Sequence, residues 1–267
     1  MPVKIKKVVG CPMPAGRQEL LVVSLFFVLL TTGYASEPPR YEINASLDTT
    51  RHKITAKQKA TFTNNSDKEL EAIYFHIYPH RKYTEKEIKY IYRYAGYFKI
   101  NPFPEGFQSG DLKIDSITSK GKPLTYEIEG KDQTILKVNL DSMLKPGDSC
   151  QLNIDFKVEI PHAFGRFGWH KNIISLLRWY PILSVLDKES WHNYPFYPYH
   201  QPYFSDASYY SVYLTLPKDQ VVIHSGILKN QTDNPDGTKT LFLESELPLR
   251  DFGLAISPDY KIESKQT

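Results

Sequence analysis

The side chains able to ligate a metal or act as nucleophiles are few and scattered. There are eight histidines: His52, His76, His80, His162, His170, His192, His200 and His224. His76 and His80 have the spacing by which a helix presents two zinc ligands. Pro79 separates them, however, and the run before them reads as a strand. In a strand, residues four apart share a face but lie about 13 Å apart, too far to hold one ion. The intervening residues also lack the glutamate that would serve as general base. His192 and His200 flank an aromatic loop, where a metal could sit though nothing else in the loop points to one. There is no G-x-S-x-G elbow and no glycine-rich phosphate loop. Cys150 alternates with Leu152 and Ile154, the pattern of a core thiol rather than a nucleophile. Most carboxylates stand singly on strand faces, as solvated charge does. No residue is therefore assigned as catalytic or as a metal ligand, and no cofactor is assigned to this chain.

The unusual stretch is Arg166 to Phe204, which holds all three tryptophans, Trp169, Trp179 and Trp191. Phe167, Tyr180, Tyr194, Phe196, Tyr197, Tyr199 and Tyr203 add to it. One reading is a long loop packed by large rings. The other is a binding surface on which rings stack against sugar or pack on a partner.

The elements that must position these residues are strands. Tyr41, Ile43, Ala45 and Leu47 alternate with polar residues, as do Ile54, Ala56, Ala60 and Phe62. Further strands are expected at Leu70–Tyr78, Leu112–Ile117, Leu124–Ile128, Ile135–Leu140, Cys150–Val158, Tyr210–Leu216, Val221–Ile223, Leu241–Leu243 and Phe252–Ile256. Glycine, proline and Asn64-Asn65-Ser66-Asp67 punctuate them. One helix is expected at about 84–98: Thr84 and Glu87 form a capping box, followed by Ile88, Ile91, Tyr92 and Ala95 at helical spacing. The fold class is all-β, a saddle-like sandwich of antiparallel sheets with one helical excursion, as one domain over residues 38–262 and a tail at 263–267.

Residues 1–35 read as a signal peptide: a basic start, an eleven-residue apolar run from Leu20 to Leu30, and small residues at Gly33 and Ala35. The run is short for a bilayer, so no stable membrane span is expected after cleavage. Export follows, to periplasm, cell surface or medium. Without the leader, 29 basic and 29 acidic residues cancel, which leaves no electrostatic footprint for nucleic acid. One cysteine then remains, so no internal disulfide forms. Asn44-Ala45-Ser46, Asn64-Asn65-Ser66 and Asn230-Gln231-Thr232 fit the glycosylation pattern.

Several segments, in order, resemble the N-terminal domain of the aminopeptidase N-like zinc metallopeptidases, the gluzincins of peptidase family M1. They are Tyr41-Glu42-Ile43-x-Ala45-x-Leu47-Asp48 with His52-x-Ile54, Ala60 to Ser66, and Ile73 to Pro79. Gly165-Arg166-Phe167-Gly168, Arg178-Trp179-Tyr180-Pro181, Asp187 and Trp191 follow, then Tyr210 to Pro217 with Gly226, and Arg250-Asp251-Phe252-Gly253-x-Ala255. The resemblance implies a saddle-shaped β-domain that packs on a thermolysin-like catalytic domain. Zinc would belong to that second domain, which supplies H-E-x-x-H and G-x-M-E-N; neither motif occurs here. It implies a truncated or split family member, inactive as a peptidase alone, with a separately encoded catalytic domain as partner. Arg178, Trp179, Tyr180, Asp187 and Trp191 are the candidate domain-interface or substrate-facing residues. Family members often place a Gln or Glu that grips the substrate amine just before the Tyr-Pro element. Between Ala163 and Tyr180 this chain has neither. The rival expectation is a secreted carbohydrate-binding or protein-interaction module.

Overall fold

The computed structural model describes residues 37–195 and 204–263. The expected leader, the last four residues and part of the aromatic loop (Phe196, Tyr197, Tyr199, His200 and Tyr203) lie outside them. The largest sheet has eight strands: β16 (Ile227–Asp233), β17 (Thr238–Glu244), β14 (Tyr209–Pro217), β1 (Arg40–Asp48), β2 (Lys53–Thr63), β8 (Ser149–Glu159), β4 (Asp111–Ser119) and β5 (Lys122–Pro123), in that spatial order. A second sheet runs β11 (Ile182–Leu183), β3 (Leu70–His76), β7 (Ile135–Leu144), β6 (Tyr126–Glu129). A third runs β15 (Val221–His224), β18 (Leu254–Ser257), β10 (Ile173–Leu176), β9 (Phe167–His170). A two-stranded pair, β12 (Val185–Leu186) and β13 (Trp191–His192), completes the described strands.

Alternation in the sequence becomes burial in the large sheet. Tyr41, Ile43, Ala45 and Leu47 of β1 face the interior, as do Leu152, Ile154, Phe156 and Val158 of β8 and Tyr210, Val212, Leu214 and Leu216 of β14. Register pairs small with large residues: Ala56 lies opposite Phe156, and Ala60 opposite Leu152. The small methyls leave room above the sheet for rings from the other layer. One continuous core joins this face to both four-stranded sheets, through Ile73, Phe75 and Leu136 on one and Leu176, Leu254 and Ile256 on the other.

Three features differ from the sequence reading. The sheets are not purely antiparallel, because β1 pairs in parallel with β14, Arg40 against Tyr209 through Ser46 against Thr215. A parallel pair needs a long crossover, which the whole intervening chain supplies. The strand from Leu70 stops at His76, and the chain turns through a short 3-10 segment at Tyr78–His80, since Pro79 cannot donate to a ladder. Finally, β16 is exposed along its length and carries no apolar alternation; it exists as an edge strand by pairing with β17.

The helix α1 spans Glu85–Tyr97. Thr84 caps it, with both halves of the capping box formed: its hydroxyl accepts from the Glu87 N–H, and the Glu87 carboxylate accepts from the Thr84 N–H. The same carboxylate meets Arg81 Nη2 at 2.6 Å. Arg81 is buried, and its Nη1 bonds Asp132 at 2.7 Å. Ile91 and Ala95 are the helix residues that go inside.

Candidate functional site

Residues 177–181 carry the chain from β10 to β11, between the two smaller sheets. Arg178 adopts φ of +57°, a left-handed conformation that costs a non-glycine residue about 1 kcal/mol or more. Its surroundings hold it there. Nε lies 3.3 Å from Asp251 Oδ2, and Nη1 donates to the Ser205 hydroxyl at 3.2 Å. That hydroxyl in turn donates to the Arg250 carbonyl at 3.0 Å. Trp179 is wholly buried, and its indole N–H donates to the Phe252 carbonyl at 3.1 Å. The Tyr180 hydroxyl accepts from the Phe252 N–H at 3.2 Å and lies 3.0 Å from the Tyr210 hydroxyl and 3.3 Å from Asp251 Oδ1. Tyr41 stacks on Tyr210 with centroids 5.0 Å apart, and its hydroxyl accepts from the Leu183 N–H.

Burial dominates the electrostatics of this cluster. It raises Tyr41 and Tyr180 well above the ordinary phenol value, and pushes Tyr210 up to about 12. It also raises Asp251, against which the Arg178 guanidinium works in the opposite direction. The tyrosines therefore stay neutral near pH 7 and act as hydrogen-bonding struts. The cluster ties residues 250–252 to residues 178–183.

Asp187 and Trp191 lie apart from that cluster, on the β12–β13 hairpin. Asp187 Oδ1 accepts from the Glu189 and Ser190 main-chain N–H groups at 2.8 and 2.9 Å. Its other oxygen lies 2.5 Å from His192 Nε2. The N–H groups, Ser190 foremost, and His192 hold this carboxyl down at about 2. His192 Nδ1 lies 2.9 Å from the Tyr194 hydroxyl. Trp191 is half-buried against Phe62 and Tyr74, 5.6 Å from each. Of the five residues singled out in the sequence, Arg178, Trp179 and Tyr180 are thus interior, and Asp187 and Trp191 lie at or near the surface.

Trp169 is sandwiched. The His52 and His162 rings lie parallel to it at 3.8 and 4.0 Å. Two rings that close to one centroid cannot share a face, so both faces of the indole are covered. With Trp179 buried, two of the three tryptophans cannot stack on a sugar. Asn64 is interior too: its amide donates to the Lys68 and Leu144 carbonyls, so that glycosylation pattern is a structural turn. Cys150 is half-buried on β8 beside the core, and burial raises its thiol.

His76 is buried with its ring stacked on Tyr78, whereas His80 Nδ1 lies 2.6 Å from Asp111. No three His, Cys, Asp or Glu side chains converge on a common point among the described residues. The sequence reading missed Tyr41, Tyr210 and Gln58 as polar partners. Each sits at an inward position of an alternating strand, and alternation reveals only which way a side chain faces. Gln58 donates to the Pro181 carbonyl at 2.9 Å, a second tie between the large sheet and β11.

The sequence matches no protein-family model and no curated protein. Solved structures do resemble the fold. An M1 zinc metallopeptidase from Deinococcus radiodurans aligns over 83% of this chain and 42% of its own, at 14% identity and a TM-score of 0.49. A variant of a two-domain M1 zinc metallopeptidase bound to L-tryptophan aligns over the same shares, at 12% identity and a TM-score of 0.50. The chain thus spans less than half the length of these structures, and at such identities the likeness is one of architecture. Over 83% of its length the chain thus shares its fold with part of an M1 zinc metallopeptidase structure.

Proposed function

We propose that this chain serves as the β-domain of an aminopeptidase N-like metallopeptidase, exported from the cytoplasm, and that it packs against a domain holding the zinc. The observation that carries this reading is the likeness of fold over 83% of this chain to an M1 zinc metallopeptidase structure. The ordered sequence segments, from Tyr41-Glu42-Ile43 to Arg250-Asp251-Phe252-Gly253, add to it. On this reading the domain contributes no catalytic group. Its part is to fix one wall of a cleft, and the knot of Arg178, Trp179, Tyr180 and Asp251 makes that wall rigid. The exposed part of the contact is the hairpin bearing Asp187 and Trp191.

The test is to purify the full chain, supply zinc, and assay hydrolysis of aminoacyl-coumarin substrates with and without an M1-type catalytic domain from the same genome. The expected result is no turnover by the chain alone. Co-elution with the catalytic domain should be weakened at least tenfold by Trp191→Ala, a residue of the anchor type that dominates such contacts. Chelator-sensitive hydrolysis by the chain alone would overturn the proposal.

A further inference from the structure

A cleft of about 410 Å³ opens between α1, the loop that follows it and the approach to β9. That volume lies within the range of small-molecule sites. Its walls are aromatic: Tyr83 and Tyr94 from one side, Phe103 and Phe107 from the loop, and Phe164 and Phe167 from the other side. Tyr83 meets Phe107 edge-on at 5.1 Å, and Phe103 meets Phe107 edge-on at 4.9 Å, so the rings brace one another. Phe164 is 55% exposed.

The charge in this cleft has one sign. Its lining includes Arg166 and Arg178 and no aspartate or glutamate. Arg178 is already compensated by Asp251. Arg166 is exposed and forms no ion pair among the described residues. Glu105, which the loop carries between Phe103 and Phe107, faces His162, with 3.2 Å between the carboxylate and Nδ1. An apolar body seated among the rings would therefore meet one uncompensated guanidinium, which suits a carboxylate or sulfonate by charge-assisted hydrogen bonding.

We infer that this cleft is a binding site for a small amphipathic anion, with an aromatic body held by Phe103, Phe107 and Phe164 and its charged group held by Arg166. The cleft shares Arg178 with the wall proposed above. The groups assigned to the ligand, Phe103, Phe107, Phe164 and Arg166, belong neither to that knot nor to the Asp187–Trp191 hairpin, so the two readings are tested by different variants.

The test uses two fluorescent probes of similar ring content on the full chain: anilinonaphthalene sulfonate, an anion, and phenylnaphthylamine, which is neutral. The anion is expected to bind one saturable site, with an affinity that falls as salt is raised. Arg166→Gln should weaken it about tenfold, the usual worth of one charge-assisted contact, and Arg166→Lys should restore part of that loss. The neutral probe should be indifferent to both changes, and Phe164→Ser should weaken both probes. Arg166 is exposed, so an unchanged melting temperature will show that its variants fold. Equal affinity for the two probes in the unaltered chain, unsaturable binding of the anion, or anion binding unmoved by Arg166→Gln would each overturn the inference.

Discussion

At the scale of single residues, His76 carries the clearest titration. Burial lowers its pKa from an ordinary 6.5 to about 4 in the fold, and a hydrogen bond to the His192 main chain opposes the shift only in part. Between those two values the unfolded chain binds a proton that the folded chain refuses. Stability is therefore unaffected by this group above about pH 6.5, falls as the pH drops from about 6.5 to about 4, and levels off below. The whole change amounts to about 3 kcal/mol. Burial raises Asp251 and Asp206, which act in the opposite sense as acid is added. The comparison that isolates His76 is the unaltered chain against His76→Gln, which cannot titrate. Urea unfolding at pH 7 and at pH 4.5 should show the variant losing less stability between the two. Equal losses would show that His76 is charged at pH 4.5 in the folded chain as it is in the unfolded one. None of this was legible in the sequence, where His76 drew notice only for its spacing to His80. A strand residue's titration depends on what covers it, and here the cover includes Tyr78, on a turn that Pro79 imposes.

At the scale of elements, the legible parts were those whose cause is local. Thr84 and Glu87 announce the start of α1 because a capping box is made within four residues, and the structure forms both of its bonds. The alternating strands β1, β2, β8 and β14 were legible for the same reason, a period of two imposed by one buried face. What was not legible came from pairing at a distance. The strand β16 exists only because β17 offers it a ladder, and the parallel join of β1 to β14 depends on where a strand some 170 residues later arrives. The cap also yields a prediction. Thr84→Ala removes the hydroxyl that satisfies the Glu87 N–H and should cost about 1 kcal/mol. The loss should be felt first in α1, which supplies Ile91 and Tyr94 to the cleft wall. Hydrogen exchange should quicken in residues 85–97 with little change in β1 or β2. A uniform acceleration across the chain would mean that the helix has no stability of its own to lose.

At the scale of the whole molecule, the question is whether the three large sheets melt as one. Their apolar faces form one continuous core, and Trp179 sits where they meet, wholly buried. Its ring tilts against Phe156 of the large sheet at 6.4 Å, and its N–H holds the Phe252 carbonyl just before β18 of the third. A neighbouring tie, from Gln58 to the Pro181 carbonyl, reaches the second sheet. A residue that bridges layers cannot be lost from one layer alone. Trp179→Ala removes a large ring and leaves the Phe252 carbonyl without its donor, which together should cost about 4 kcal/mol. For a chain of this size that corresponds to a fall of about 8 to 16 °C in melting temperature. The fall should come as a shift of one transition, with far-ultraviolet circular dichroism and tyrosine fluorescence superimposing, because a single core leaves no part to melt separately. Two resolved transitions in the variant, one near the original temperature, would show instead that the large sheet stands without the layer Trp179 fastens to it. The rigid wall assigned here to Arg178, Trp179 and Tyr180 would then be a separable lid.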